Sequence, residues 1–187
     1  MIQKIIDKYP FYATTLIFGV LGAINAFLFF FFLIANQIYP FSVVYGIVLL
    51  INIVFNVLGI IYYRYLLRQY EFHFWQGLSV GFLINIVMVG MYCLLVFLFL
   101  SHAFSDFLNI YIKVEQEKFL LDKAIYLQNI NEQQFNEMYK AIEQIKLGKI
   151  IFRLLETSGM LGTFVVFVAS ILLRRKVKIV VETVPKK

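Results

Sequence analysis

Four stretches of the chain run almost without interruption through apolar residues, at 11–35, 41–63, 76–101 and 154–173. Each is long enough for a helix to cross the hydrocarbon of a bilayer, which takes about 20 residues at a rise of about 1.5 Å each. None contains Lys or Arg, and only the fourth contains an acid, Glu156. The pattern predicts an all-α, polytopic membrane protein built as a four-transmembrane-helix bundle. The first stretch follows Lys4 and Lys8, as a secretory signal would. It is far longer than the apolar run of about 7–15 residues in such a signal, and no A-x-A cleavage site follows it, so it reads as a span.

The segment between the third and fourth stretches differs in kind. Residues 102–153 hold seven acids and seven bases, no Pro and only one Gly, Gly148. Loops of that length without secondary structure are uncommon. Phe107, Tyr111, Val114, Leu121 and Ile125 recur at helical spacing and predict a helix from about 106 to 129, with Lys118 and Asp122 as i,i+4 partners on its exposed side. Asn131 with Gln134 forms a capping-box pattern. A second helix follows it, with Phe135, Met138, Ile142 and Ile145 as its apolar stripe. These two should fold as a helical hairpin with apolar faces together; a helix lying on the membrane is the alternative, which the balanced charge disfavours. The whole chain, 1–187, then forms a single membrane domain, with a helical insert at about 103–150 and a basic tail at 174–187.

Within each span, small and polar residues recur at steps of three and four, which places them on one helical face. The first span carries Thr15, Gly19, Gly22 and Ala26. The second carries Tyr45, Asn52, Asn56, Gly59 and Tyr63. Gly77, Gly81 and Asn85 mark the third, and Glu156, Gly159, Thr163 and Ser170 the fourth. In lipid, helices associate through close backbone approach at small residues and through hydrogen bonds between helices. Gly19, Gly22, Gly77, Gly81 and Gly159 are therefore expected at helix contacts, and Asn52, Asn56, Asn85, Arg153 and Glu156 are the candidate interior polar or functional residues. Arg153 and Glu156, at the outer end of the fourth span, read first as an interfacial i,i+3 ion pair and second as a buried acid at the mouth of the bundle that binds a cation or a basic partner group. A polar pathway is the functional reading of these stripes and helix packing the structural one. Packing is favoured, because no ionisable group lies near the centre of any span, where pumps and ion pathways usually place one.

Charge fixes the expected orientation. The ends of the chain and the 64–75 turn hold ten basic residues, among them Arg64, Arg68, Arg174, Arg175, Lys176 and Lys178, against the acids Asp7, Glu71 and Glu182. The positive-inside rule then puts both termini in the cytoplasm and the insert outside. Arg174, Arg175, Lys176 and Lys178 are candidates for lipid-headgroup contact as well as for setting topology. Trp75 with Tyr62, Tyr63, Tyr65 and Tyr70 reads as an aromatic belt. A net charge of +6 is explained by these flanks and implies no nucleic acid.

Composition agrees: 61% hydrophobic and 15% charged residues exceed what a soluble surface allows. The single cysteine, Cys93, rules out an internal disulfide and reads as a small buried hydrophobe. Hydrolase, metalloprotease, nucleotide and dinucleotide motifs do not occur. His73 and His102 flank the third span and cannot share a metal. Ser101–His102 next to Asp106 is not expected to act as a triad, since adjacent residues rarely meet as nucleophile and base. The chain reads as non-enzymatic, with no cofactor or metal.

The layout resembles an uncharacterised membrane family of the Bacteroidota, catalogued as domain-of-unknown-function family 4199. The resemblance rests on Tyr63-Arg64, Phe74-Trp75-Gln76-Gly77 and Gly81, on Glu156 in the fourth span, and on Ile171-Leu172-Leu173-Arg174-Arg175-Lys176. It covers roughly 10–178. Where relatives often carry a Gly-rich turn, this chain has Arg68-Gln69-Tyr70-Glu71-Phe72-His73. The resemblance implies a bacterial inner (cytoplasmic) membrane and carries no activity. The expected role is a non-catalytic accessory or scaffold protein, with membrane lipid as one partner and a second membrane or periplasmic protein, engaged through 103–150, as another. A small transporter or channel using the polar stripes is the alternative; a lipid-acting enzyme near Glu156 is a third and weaker reading.

Overall fold

Prolines open the first two long helices. Pro10 stands at the first turn of α1 (Pro10–Ala35), and Pro40 begins α2 (Pro40–Leu67). At that position the missing N–H is lost without cost, since the first helical N–H groups have no partner within the helix. The computed structural model describes residues 9–36, 40–67, 72–104 and 106–174. α3 (Phe74–Leu98) continues into a π-helical turn at Phe99–Ala103. α4 (Phe107–Leu121), α5 (Lys123–Tyr126) and α6 (Glu132–Glu143) form the insert, and α7 (Leu147–Leu173) returns through the bundle. Four of these helices, α1, α2, α3 and α7, are long and apolar enough to cross a membrane. Lys4, Lys8, Arg68, Tyr70, Arg175, Lys176 and Lys178 lie outside the described residues.

Around the bundle the long helices follow the order α1, α3, α7, α2, and α2 and α3 also touch across the middle. Small residues set that closeness. A Cβ on Gly19 would lie 2.6 Å from Val87, and one on Gly22 would lie 2.6 Å from the Met88 sulfur. Gly81 is about as tightly held by Val166 and Ile60, and Gly77 less tightly, 3.1 Å from Phe72 and 3.2 Å from Ser170. These four glycines stand at helix contacts, as their spacing predicts. Gly159 does not, because nothing lies within 4 Å of where its Cβ would be.

The reason lies in the rotation of α7. Its buried positions are Ile150, Leu154, Ser158, Gly162, Val166, Ala169 and Ser170. This face is turned from the expected Glu156, Gly159, Thr163 stripe. It is the face without charge, so burying it leaves no ionised group to desolvate. Arg153 and Glu156 are accordingly exposed rather than interior, and no ion pair joins them among the described residues. α7 also begins about two turns before the expected 154, because its charged outer end continues the helix instead of breaking it.

The insert is a hairpin in which α4 packs on α6. Phe107 and Tyr111 are buried at its base, in one cluster with Leu100, Ile150 and Leu154. Farther out, the Phe119 ring stacks on Phe135 at 4.6 Å and lies 4.7 Å from Tyr126. Lys123 Nζ sits 5.4 Å from the centre of the Phe135 ring and 3.6 Å from Glu132 Oε1. The Asn131–Gln134 capping box is present: Gln134 N donates to Asn131 Oδ1 at 2.8 Å, and Asn131 N donates to Gln134 Oε1 at 3.2 Å.

Two expectations for this hairpin fail. The first helix stops at Asp122 instead of running to 129, so Leu121 (83% exposed) and Ile125 (61%) point away from the hairpin core. The break lets Tyr126 turn back onto Phe119, which takes the core position instead. Lys118 pairs with Glu115 at 3.9 Å, not with Asp122.

Candidate functional site

At mid-height of the bundle, three asparagines meet two small residues of α7. Asn52 and Asn56 are i,i+4 partners on α2 and so share one face. Asn85 stands on α3, eleven residues or about 16 Å along the helix from Phe74. All three are buried, with 1%, 0% and 3% of their surfaces exposed. Asn56 Nδ2 donates to Asn52 Oδ1 at 2.8 Å and to the Asn52 carbonyl at 2.9 Å. Asn52 Nδ2 donates to Asn85 Oδ1 at 2.9 Å. Asn85 Nδ2 donates to the Gly159 carbonyl at 3.1 Å and reaches Thr163 Oγ1 at 3.4 Å. The Thr163 hydroxyl donates to that same carbonyl at 2.8 Å. A single run of donors thus passes from α2 through α3 to α7.

Gly162 makes room for it. A Cβ there would collide with the Asn85 carboxamide and lie 2.8 Å from Asn52 Oδ1. Gly159 contributes through its carbonyl rather than through bareness. The sequence stripe contains Gly159 but not Gly162; the i+4 step from the buried Ser158 is the signal that would have found it.

Moving an unpaired amide into a medium that cannot hydrogen-bond costs about 4–8 kcal/mol. Paired amides between membrane helices contribute about 0.6 kcal/mol on average. The network therefore adds little to stability, but breaking it while the helices stay together is costly, and it sets the register of α2, α3 and α7. Two polar atoms stand outside this balance: Asn56 Oδ1 and Thr14 Oγ1 are buried with no partner among the described residues. Carboxamides carry no charge and do not titrate, so the site acts by hydrogen bonding.

The other expected features lie apart. Cys93 is buried among apolar neighbours in the part of the bundle nearer the insert. Trp75 (70% exposed) and Tyr65 (73%) fit an aromatic belt, whereas Tyr63 is buried and meets Phe11 edge-on at 6.0 Å. Arg174, at the end of α7, is exposed. Ser101 and His102 do meet, against expectation: the π-turn brings Ser101 Oγ to 2.8 Å from His102 Nδ1. Ser101 Oγ also donates to the Phe97 carbonyl at 2.7 Å, which directs its proton away from the imidazole.

At the far end of the insert, Leu120, Leu121, Ile125 and Leu127 are exposed, and so is Met138 on α6. They are large apolar side chains on an element whose other exposed side chains are mostly polar or charged. The family model described as a protein of unknown function, DUF4199, matches residues 15–175, which takes in nearly all of α1 and the whole of α2–α7. No curated protein and no solved structure matches the chain.

Proposed function

From the membership of this chain in the DUF4199 family, we propose that it is a non-catalytic accessory or scaffold protein of a bacterial inner membrane. It holds both termini in the cytoplasm and presents the α4–α6 hairpin outside. The bundle anchors the hairpin, and the hairpin engages a second membrane or periplasmic protein. One observation carries the reading: Leu121, 83% exposed, and Ile125, 61% exposed, stand at the outer end of a hairpin whose aromatic core is already complete without them. Apolar side chains grouped on an otherwise polar surface mark interaction sites. The interior supports a mechanical role, since its buried polar residues among those described are uncharged amides and hydroxyls.

The test is affinity purification of the full chain from native membranes in mild detergent, with mass spectrometry of the retained proteins. A stoichiometric partner that is lost on Leu121→Asp with Ile125→Asp supports the scaffold. Recovery without any partner contradicts it.

A small transporter or channel is the second reading, favoured by Asn56 Oδ1, a fully buried acceptor with no partner among the described residues. It requires water or solute to reach that oxygen. Glu156 itself is exposed and makes no side-chain hydrogen bond or ion pair among the described residues.

A further inference from the structure

One face of α1 is covered by neither α2 nor α3. Leu21, Asn25, Leu28, Phe32 and Ala35 are all exposed and follow one another at steps of four, three, four and three residues. Ala23, Ala26, Phe30 and Leu33 of the same helix are buried in the bundle. Steps of four and three are the spacing of a knobs-into-holes seam between two helices. Nothing inside the bundle uses this seam.

Asn25 stands one turn into the seam from Leu21, ten residues or about 15 Å from the end of α1 at Ala35. Asn25 Nδ2 donates to the Leu21 carbonyl at 2.8 Å. Its second N–H and its Oδ1 have no partner among the described residues. The side chain also borders an open groove between α1 and α2 of about 510 Å³, lined by Leu28, Ile51, Val54 and Phe55. In a bilayer this carboxamide would face hydrocarbon, which offers it no hydrogen bond.

We infer that α1 is a homodimerisation helix: two copies of the chain pack α1 against α1 in parallel, and their Asn25 carboxamides hydrogen-bond to each other within the seam. The identity of the occupant follows from the chemistry of the amide. A carboxamide carries both donor and acceptor, so two copies satisfy each other across a twofold axis without a complementary group from any other protein. Copies inserted in the same orientation hold their α1 helices parallel, which the symmetry requires. A single Asn within such a seam, flanked by Leu21 and Leu28, fixes register and oligomeric state. The inference rests on the membrane reading above and is independent of what the hairpin binds.

The test is disulfide crosslinking of the full chain in native membranes, in a Cys93→Ala background. Leu21→Cys, Leu28→Cys and Phe32→Cys are compared with Leu16→Cys, Phe82→Cys and Phe164→Cys, which are exposed on other faces. The seam positions are expected to give dimers several-fold more efficiently. Association of fluorescently labelled copies diluted in liposomes reads the amide directly: Asn25→Leu should weaken it about 3- to 30-fold, the range for one hydrogen bond between membrane helices, and Asn25→Gln should retain most of it. Asn25 is exposed, so neither change disturbs the fold of one copy. Equal crosslinking at all six positions, unchanged association of Asn25→Leu, or adducts of the seam cysteines with a different protein would each overturn the inference. A monomer that still retains a hairpin partner defeats this proposal alone. A dimer without such a partner defeats the scaffold reading alone.

Discussion

Asn52 Nδ2 donates to Asn85 Oδ1 at 2.9 Å, joining α2 to α3 across 33 residues of sequence at mid-height of the bundle. The bond forms because Gly162 of α7 leaves vacant the space that the Asn85 amide fills. Gly162→Ala should therefore act on Asn85 before it acts on α7. Overpacking of this kind costs about 1–3 kcal/mol. Gly159→Ala, only three residues away, meets nothing and exchanges a poor helix former for a good one. Thermal unfolding in detergent should show a clear loss for Gly162→Ala and none for Gly159→Ala. Equal losses would mean that the glycines matter for helix flexibility and not for the network.

Asn85 is the hub of the donor run and Asn56 its end. Asn85→Ala strands the buried Asn52 N–H, while the Gly159 carbonyl keeps the Thr163 hydroxyl, and a stranded buried polar group costs about 1–3 kcal/mol. Asn56→Ala leaves acceptors only and removes an oxygen that already lacks a partner. Asn85→Ala should thus be the more destabilising of the two in the same unfolding experiment. The reverse order would show that Asn56 Oδ1 holds a tightly bound donor, and would favour the transporter reading.

Much of this arrangement was legible in the amino-acid pattern, and the failures share a cause. Spacing at steps of three and four placed Asn52, Asn56 and Asn85 on interior faces, because lipid makes no hydrogen bonds and leaves amides only one another. It also selected Gly19, Gly22, Gly77 and Gly81. On α7, however, two small-residue stripes run side by side, Glu156–Gly159–Thr163 and Ser158–Gly162–Val166. Spacing alone cannot choose between them. The choice is tertiary: only the second lets the Asn85 amide in while keeping Glu156 and Arg153 outside. The same holds for Leu121 and Phe119 on α4, where the break at Asp122 decides which reaches Phe135. Asn25 escaped notice because it stands beside Ala26, and the small residue defined the stripe.

The hairpin core should behave as a local unit. Phe135 is 2% exposed and stacks on Phe119, with Tyr126 completing the aromatic cluster. Phe135→Ala is expected to cost about 3–5 kcal/mol. Hydrogen exchange should show lost protection across 123–143, with α1, α2 and α3 unaffected. Asn131→Ala removes only the cap and should cost about 1 kcal/mol. If Phe135→Ala loosened the long helices too, the hairpin would be part of the bundle core and could not serve as a separate contact element.

Orientation can be read by chemical labelling. Cysteines introduced at Lys140 in the hairpin and at Arg174 at the end of α7, in a Cys93→Ala background, should react from opposite sides of sealed membrane vesicles. The Lys140→Cys thiol should be reached from the periplasmic side only, as the distribution of basic residues requires. Labelling of both positions from one side would remove the four-span topology.

The most direct test of the scaffold account is partner retention by the wild-type chain compared with the Leu121→Asp, Ile125→Asp double variant, purified in parallel from native membranes. Both side chains are exposed, so unfolding of the isolated protein should be unchanged within about 0.5 kcal/mol. The account predicts one stoichiometric partner with the wild type and its loss with the variant. A partner retained equally by both, or absent from both, would contradict it.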